Sequence, residues 1–389
     1  MSLRTSTIGL HTGKVFLSAA SPALTEAFRS AQIQASDRDP TTFSMTFQLK
    51  RTDLGSDYEL LLGSTFSAYS RVCLTANTAK QNYVLLDGLI TSTEVTQGGG
   101  NTPDTIVVSG RDLTAAMDMH EKSIPWPCMN DSAVVLALLA QYAVYGLVPI
   151  TVPTVFSASQ GPGEVTQQQR GTDFQHISSL ASKNGYIFRV IPGSAPGLNY
   201  AYFGPSLRNV QRFVASVCPT LNAASFPMGN VESIKFKTNH EAPTMYGGMV
   251  MDVVDQTSAL MPIASIPGLL LPPFATVPAI IQNMPWTHFK LMEESTVDPI
   301  QGMVLAQGRS DASSEKTVEV NGTVDVERYG GVLTAPGIVS VRGAGHTNDG
   351  KYLVTGVSSD ITPEHFKQTF TLNREGVGST IAAVPPSVT

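Results

Sequence analysis

The segment TFSMTFQL, residues 42–49, indicates β-structure in this 389-residue chain. Apolar and polar residues alternate strictly along it, so every second side chain, from Phe43 to Leu49, would lie on one face of a strand. The pattern continues at residues 71–75, 83–90 and 105–110, and the glycine-rich turn QGGGN separates the last two segments. We therefore predict that the first third of the chain is β.

The middle of the chain changes to the period of a helix. Residues 131–145 carry apolar side chains at the i, i+3 and i+4 spacing of a helix with one buried face. We predict Asp131 or Ser132 as the N-cap of this helix and Gly146 as its end.

A second helix is predicted over residues 172–184. Thr172 and Gln175 have the spacing of a capping box, and Gly185 follows as a left-handed stop. Strands are expected after it at residues 186–190 and 200–203. The two helices and these strands predict an α+β block.

From residue 231 onward the β pattern returns. We predict strands at residues 231–237, 249–254, 302–307, 318–326, 338–342, 352–357 and 368–372. An apolar, proline-rich stretch interrupts them.

The two β regions have the same order of segments. In the first, a short strand with Val72 precedes a strand led by Tyr83 and a return strand that ends at Arg111. In the second, Val339, Tyr352 and Arg374 occupy the corresponding places. A repeated unit of this kind predicts two similar β-barrels in one chain.

The composition restricts the classes of function. Charged residues make up only 14% of the chain, against about 25% in an average globular protein, which suggests a surface covered by other subunits. The net charge of −6 gives no basic footprint for nucleic acid. Cys73, Cys128 and Cys218 lack the spacing of a zinc site, so free thiols in a reducing cytoplasm are expected.

The search for catalytic motifs assigns no catalytic, cofactor-binding or metal-binding residue. The chain contains no nucleophile elbow, phosphate-binding loop or dinucleotide fingerprint. Asp173 and His176 could form a catalytic pair, but no nucleophile has a defined place beside them, so we interpret both as part of a helix face. Glu293 and Glu294 are adjacent and point apart, so they cannot flank one glycosidic bond.

An ordered series of short motifs gives a more specific indication. The series comprises VSGRDLT at 108–114, TQQQRGTDF at 166–174, RYG at 328–330, GAG at 343–345, DGKYLVT at 349–355 and FTLNR at 370–374. In this order and spacing the chain resembles the phage late-control protein D family, the baseplate hub proteins of contractile tails. Related hub modules occur in the spike proteins of type VI secretion and in extracellular contractile injection systems.

This resemblance implies a mainly β fold with α+β parts. Two tube-like antiparallel β-barrel domains would be joined by an α+β hub domain, and three chains would form a ring. The implied partners are two further copies of the chain, the tail tube protein, the spike or tip protein and other baseplate proteins. The implied location is the baseplate of a virion tail or tail-like particle made in the bacterial cytoplasm. Neither nucleic-acid binding nor membrane insertion is expected.

The resemblance also suggests domain boundaries. The first barrel would span residues 1–113, the hub domain 114–228 and the second barrel 229–376, with a proline-rich insertion at about 259–286 and a tail at 377–389. We find no counterpart of a fused spike or lysozyme-like module, so we expect wall cleavage to fall to another protein. The alternatives are an enzyme of the tail tip, a secreted carbohydrate-active enzyme and a β-rich binding module.

The proline-rich insertion is the candidate partner interface. Residues 256–287 are uncharged and long enough to span a bilayer, but six prolines forbid a continuous helix. The apolar residues assigned to the interface are Leu269, Leu270, Leu271, Ile280 and Ile281. Because an exposed apolar patch usually marks an interface, we predict docking on a neighbouring hub chain or another baseplate protein. The alternative is a loop that folds back on its own barrel.

Overall fold

A computed structural model of the chain describes most of the sequence. The described residues are 7–52, 57–62, 65–78, 81–99, 102–127, 129–154, 167–205, 216–223, 229–248, 263–264, 274–278, 287–292 and 299–379. The strands are β1 (Thr7–Gly13), β2 (Ser18–Ala19), β3 (Phe28–Ser36), β4 (Thr42–Gln48), β5 (Arg71–Asn77), β6 (Asn82–Thr96), β7 (Thr105–Asp112), β8 (Glu121–Trp126), β9 (Leu147–Thr151), β10 (Gln167–Thr172), β11 (Ile187–Pro192), β12 (Asn199–Gly204), β13 (Ser216–Val217), β14 (Leu221–Asn222), β15 (Ser233–Thr238), β16 (Thr244–Gly248), β17 (Ile263–Ala264), β18 (Ala275–Pro278), β19 (His288–Leu291), β20 (Val318–Asp325), β21 (Gly337–Arg342), β22 (Gly350–Ile361), β23 (Phe366–Arg374) and β24 (Gly376–Ser379). The helices are α1 (Pro22–Ala27), α2 (Thr114–Met117), α3 (Asp131–Ala140), α4 (Asp173–Lys183), α5 (Pro299–Ser314) and α6 (Val326–Tyr329), with a 3-10 turn at Ala143–Tyr145.

One large sheet contains strands from both ends of the chain. Its order is β15-β20-β23-β22-β3-β4-β7-β6-β5-β1-β2, with β21 beside β22 and β13 and β14 beside β21. The two β regions meet where β22 pairs antiparallel with β3, from Gly356–Ser36 to Ile361–Ala31. The prediction of a mainly β chain is therefore confirmed, and the two regions share a continuous ladder.

Within this sheet a five-strand unit occurs twice. The first β unit has the order β3-β4-β7-β6-β5 and the second has the order β15-β20-β23-β22-β21, and all neighbours are antiparallel. A bulge interrupts the long strand of each unit, at Thr91 in β6 and at Thr355 in β22. These bulges align Tyr352 with Gly88, so the sequence-based alignment of Tyr352 with Tyr83 is wrong by five residues.

The two β units pack around largely separate apolar clusters. The first core includes Phe43, Met45 and Phe47, the same face that strict alternation predicted, and all three are buried. The second core includes Val320, Tyr352 and Phe370. Because successive strand side chains point to opposite faces, the alternating segments decide which face of each unit is buried.

The α+β block lies between the two β units in sequence. Helices α3 and α4 pack with the three-stranded sheet β11-β12-β9 around a buried cluster. Asn130 caps α3 by accepting from the Ala133 N–H at 2.7 Å. The predicted N-caps Asp131 and Ser132 are therefore wrong, by one and by two residues. The helix ends at Ala140, and a 3-10 turn then leads to Gly146 at φ 69°.

The second predicted helix agrees closely with the structure. Thr172 and Gln175 form both hydrogen bonds of a capping box at the start of α4. Gly185 has φ 64°, the left-handed conformation expected after a helix end. The prediction for this helix is therefore confirmed to within one residue at each end.

The strand predicted over residues 302–307 is wrong. These residues lie within α5, and Leu305, Ala306 and Ser310 are buried on one face of it. A short apolar run cannot distinguish a strand from a helix by its periodicity alone. In the structure this run is part of a helix of 16 residues. The strand predicted over residues 249–254 lies outside the described residues.

Truncating Leu180 should destabilise the α+β block. Leu180 is 4% exposed and belongs to the cluster that joins α3 to α4. Leu180→Ala should therefore lower the free energy of unfolding by about 2–5 kcal/mol, measured by urea denaturation. Ser182→Ala changes an exposed residue of the same helix and is the matched control. Equal stability of both variants would contradict a structural role for this helix face.

Candidate assembly surface

The described residues contain no arrangement typical of a metal centre. No group of three or more histidine, cysteine, aspartate or glutamate side chains in the described ranges could hold a metal ion. Cys73 and Cys218 are free and buried, and burial raises the pKa of both thiols. Such thiols are poor nucleophiles at neutral pH.

Asp173 is a buried carboxylate whose hydrogen bonds are satisfied by structural partners. Its Oδ2 accepts from Lys122 Nζ at 2.6 Å, Tyr142 OH at 2.6 Å and Gln141 Nε2 at 3.0 Å. Its Oδ1 accepts from Gln169 Nε2 at 2.7 Å. The donors come from β8, β10 and the end of α3, so Asp173 connects these elements to the start of α4.

His176 follows Asp173 by three residues and is also buried. Burial lowers its pKa, which favours the neutral imidazole at physiological pH. Because the oxygens of Asp173 already accept four hydrogen bonds, the geometry favours the interpretation of both residues as parts of a packed helix.

A buried ion pair attaches the α+β block to the first β unit. Arg71 donates to both oxygens of Asp87 at 2.7 Å, and the two side chains are 3% and 0% exposed. Arg71 also donates to the Tyr145 carbonyl at 2.8 Å, and Asn199 Nδ2 donates to Asp87 Oδ2 at 2.8 Å. These contacts fix the position of the block relative to β5 and β6.

Charged side chains also meet where β3 ends beside α5. Arg38 lies 3.4 Å from Glu315 and 3.8 Å from Asp37. Arg189 of β11 donates to the hydroxyl of Thr41, just before β4, at 3.4 Å. Burial raises the pKa of Asp37 to about 6, with Arg38 opposing the shift and Glu315 adding to it. The first β unit, the helix before β20 and the α+β block therefore converge at this end of β3.

The most unusual exposed feature is the last part of β6. Residues 91–96 are all exposed, and Val95 is 42% exposed, although the five residues before them, 86–90, are buried. This part of β6 pairs with β7 on one side. No strand in the described part of the chain pairs with its other side, so its backbone presents a free sheet edge.

A second free edge belongs to β15, the first strand in the sheet order. It pairs with β20 on one side, and no described strand pairs with it on the other. Ile234 and Phe236 are only half-buried, whereas Ser233, Lys235, Lys237 and Thr238 are exposed. Uncovered edges of this kind are templates for pairing with another strand.

The predicted interface residues Leu269, Leu270, Leu271, Ile280 and Ile281 lie outside the described residues. Close to that segment in sequence, Phe289 and Leu291 of β19 are 57% and 72% exposed. Sequence reasoning found neither these residues nor the two free edges. Strand pairing determines which edges are free, and alternation of residue types shows only which faces are buried. No helix of the described residues is long and apolar enough to cross a membrane.

The described residues combine a largely antiparallel sheet that contains a repeated unit, an attached α+β block and two free strand edges. At the level of sequence, no protein-family profile and no curated protein matches the chain. Solved structures do match it. A tail protein from Neisseria meningitidis MC58 has a TM-score of 0.59 at 14% identity, over 96% of this chain and 98% of that one.

Two further structures extend the comparison. The 43 kDa tail protein of prophage MuSo2 from Shewanella oneidensis has a TM-score of 0.59 at 12% identity, over 95% of this chain and 98% of that one. The E. coli c3393 protein, described as a component of the type VI secretion system that resembles T4 tail proteins gp27 and gp5, has a TM-score of 0.53 at 12% identity, over 92% and 77%. The chain thus has the fold of phage tail proteins and of a type VI secretion component, and the predicted resemblance is confirmed for the fold.

Proposed function

We propose that this chain is the baseplate hub of a contractile phage tail or of a tail-like injection particle. The observation that carries the proposal is the repeated order of strands, β3-β4-β7-β6-β5 and β15-β20-β23-β22-β21, within one sheet. The likeness to tail proteins over nearly the whole chain supports the same conclusion. In this function the chain is structural and catalyses no reaction.

The repeat explains how such a hub would connect two symmetries. Three chains with two equivalent β units each would present six similar units around one axis. One face of the ring would then fit a hexameric tail tube, and the three chains would fit a trimeric spike. Each unit is expected to form one tube-like barrel, in domains at residues 1–113 and 229–376 on either side of the hub domain at 114–228.

The proline-rich insertion is the proposed docking segment for a neighbouring chain or another baseplate protein. Replacing Leu269, Leu270 and Leu271 together with Ser should weaken assembly and leave the isolated chain folded, because the apolar contact would be lost at the interface alone. Particle yield and the circular dichroism of the purified chain would measure the two effects. Leu62→Ser, at a residue 67% exposed, is the control. Normal assembly of the triple variant would contradict the proposed docking.

Size in solution separates the hub from an enzyme of the tail tip. A hub should form a stable trimer of three 41.4 kDa chains at micromolar concentration, because obligate interfaces bury more than about 2,000 Å². Light scattering of the purified chain measures this mass. A stable monomer that cleaves peptidoglycan would overturn the proposal.

A further inference from the structure

We propose that the free edge of β15 in one copy pairs antiparallel with the free edge at the end of β6 in a neighbouring copy. In the proposed register Glu94 lies opposite Lys237 of the partner subunit, and Val95 lies opposite the partner's Phe236. The inference rests on the proposed function, because it supplies the contact that joins hub chains into a ring.

The two bulges show which residue of β6 is equivalent to which residue of β22. They align Thr91 of β6 with Thr355 of β22. Ser358 of β22 therefore corresponds to Glu94 of β6. The neighbours across the ladder agree, since Ser358 faces Thr369 and Glu94 faces Val107 at equivalent places in β23 and β7.

The same ladders give the correspondence between β3 and β15. Val107 faces Thr46, which faces Ser30 of β3. In the second unit, Thr369 faces Thr323, which faces Ser233 of β15. Ser30 therefore corresponds to Ser233 and, four residues further along each strand, Gln34 corresponds to Lys237.

The junction of β22 with β3 inside the chain then predicts the junction of β6 with β15 between chains. Inside the chain, Ser358 of β22 faces Gln34 of β3, and Ser359 faces Ile33. Replacing each residue by its equivalent places Glu94 opposite Lys237 and Val95 opposite Phe236. The second junction would repeat the first, and every unit would meet the next in the same way.

Burial differs between the two junctions as the proposal requires. Val357 and Ser359 of β22, which lie beside β3, are buried, whereas the equivalent Thr93 and Val95 are exposed. Across the junction, Ile33 of β3 is 2% exposed, whereas the equivalent Phe236 is half-buried. A second copy would cover Val95 and Phe236 on the core face of the sheet.

The charges on the other face are complementary. Lys237 already faces Glu319 of β20 inside its own chain. Pairing with Glu94 would place a lysine between two glutamates on adjacent strands. Opposite charges directly across an antiparallel ladder stabilise the pair and help to fix its register. A slip by one residue would move Val95 and Phe236 to opposite faces of the sheet.

Cysteine pairs test this register directly. Inside the chain the Asp37 N–H donates to the Thr355 carbonyl at 2.8 Å, so these two residues form a hydrogen-bonded pair. Because hydrogen-bonded and non-hydrogen-bonded pairs alternate along an antiparallel ladder, Ser358–Gln34, three positions further along, is a non-hydrogen-bonded pair. Such pairs bring two Cα atoms to about 4.5 Å, within the range of a disulfide. The variant Glu94→Cys with Lys237→Cys should therefore form covalent ladders of two and three chains on mild oxidation.

The matched control is Glu94→Cys with Thr238→Cys, because Thr238 lies on the opposite face of β15. The single-cysteine variants report any contribution of the native thiols. Carbodiimide coupling of the unmodified protein, followed by mass spectrometry, should join a peptide with Glu94 to one with Lys237 and is independent of the variants.

The mass of the wild-type chain distinguishes the possible failures. A trimer with ladders in the first variant and not in the control supports the inference. A trimer without these ladders, or with equal ladders in the control, would overturn the register and leave the proposed function standing. A wild-type chain that stays monomeric would overturn both.

Discussion

Asp87→Ala should lower the free energy of unfolding by about 3–5 kcal/mol, because it leaves the buried Arg71 guanidinium without its counter-charge. The carboxylate of Asp87 accepts three hydrogen bonds, from two nitrogens of Arg71 and from Asn199. Its loss would also loosen the α+β block from β5 and β6. Denaturant unfolding measures the first effect, and proteolysis between the block and the β unit measures the second.

Two further variants test whether the stability lost in Asp87→Ala comes from the unpaired buried charge. Arg71→Met combined with Asp87→Leu removes both charges and should recover much of the stability, since a buried pair is often replaceable by apolar residues. Asp360→Ala removes a carboxylate that is 51% exposed and should change stability little. A change below about 1 kcal/mol in Asp87→Ala would mean that the pair does not hold the two parts together.

Arg374→Met should destabilise the second β unit by a similar amount, about 3–5 kcal/mol. Arg374 is 1% exposed, and its guanidinium lies 4.4 Å from the centre of the Tyr352 ring. It donates to the carbonyls of Thr347, Asp349 and Gly376 at 2.8–2.9 Å. Without it, the three carbonyls lose this donor, the Gly376 carbonyl in a buried position, and the loop before β22 loses its attachment to β24.

Arg342→Met is the matched control, because Arg342 is exposed at the end of β21. It should change the free energy of unfolding by less than about 0.5 kcal/mol. Thermal unfolding of both variants at one pH gives the comparison. If Arg374→Met unfolds at the same temperature as the wild type, the guanidinium does not stabilise this end of the second β unit.

The elements predicted best from the sequence are those with a strong local signal. Strict alternation at residues 42–49 identified β4 and its buried face, and the capping box at Thr172 identified α4. In both cases neighbouring residues carry the information. The prediction over residues 302–307 was wrong because its short apolar run fits a strand and a helix equally well.

The contacts that join distant parts of the chain could not be predicted in this way. The pairing of β3 with β22 brings together strands from opposite ends of the sequence, and no local pattern encodes it. The same is true of Arg71 and Asp87, whose burial results from the α+β block that covers them. The free edge of β6 follows from these pairings, so the candidate assembly surface also required the structure.

The position of the chain in an assembled particle is the decisive test of the proposed hub function. A cryo-electron microscopy map of the tail particle should place three copies in one ring at the junction of tube and spike, with six β units around the axis. Adjacent units should be joined alternately by the pairing of β22 with β3 inside a chain and of β6 with β15 between chains. A map that places the chain in the sheath or a tail fibre, or in a number of copies other than three, would contradict the proposed hub function.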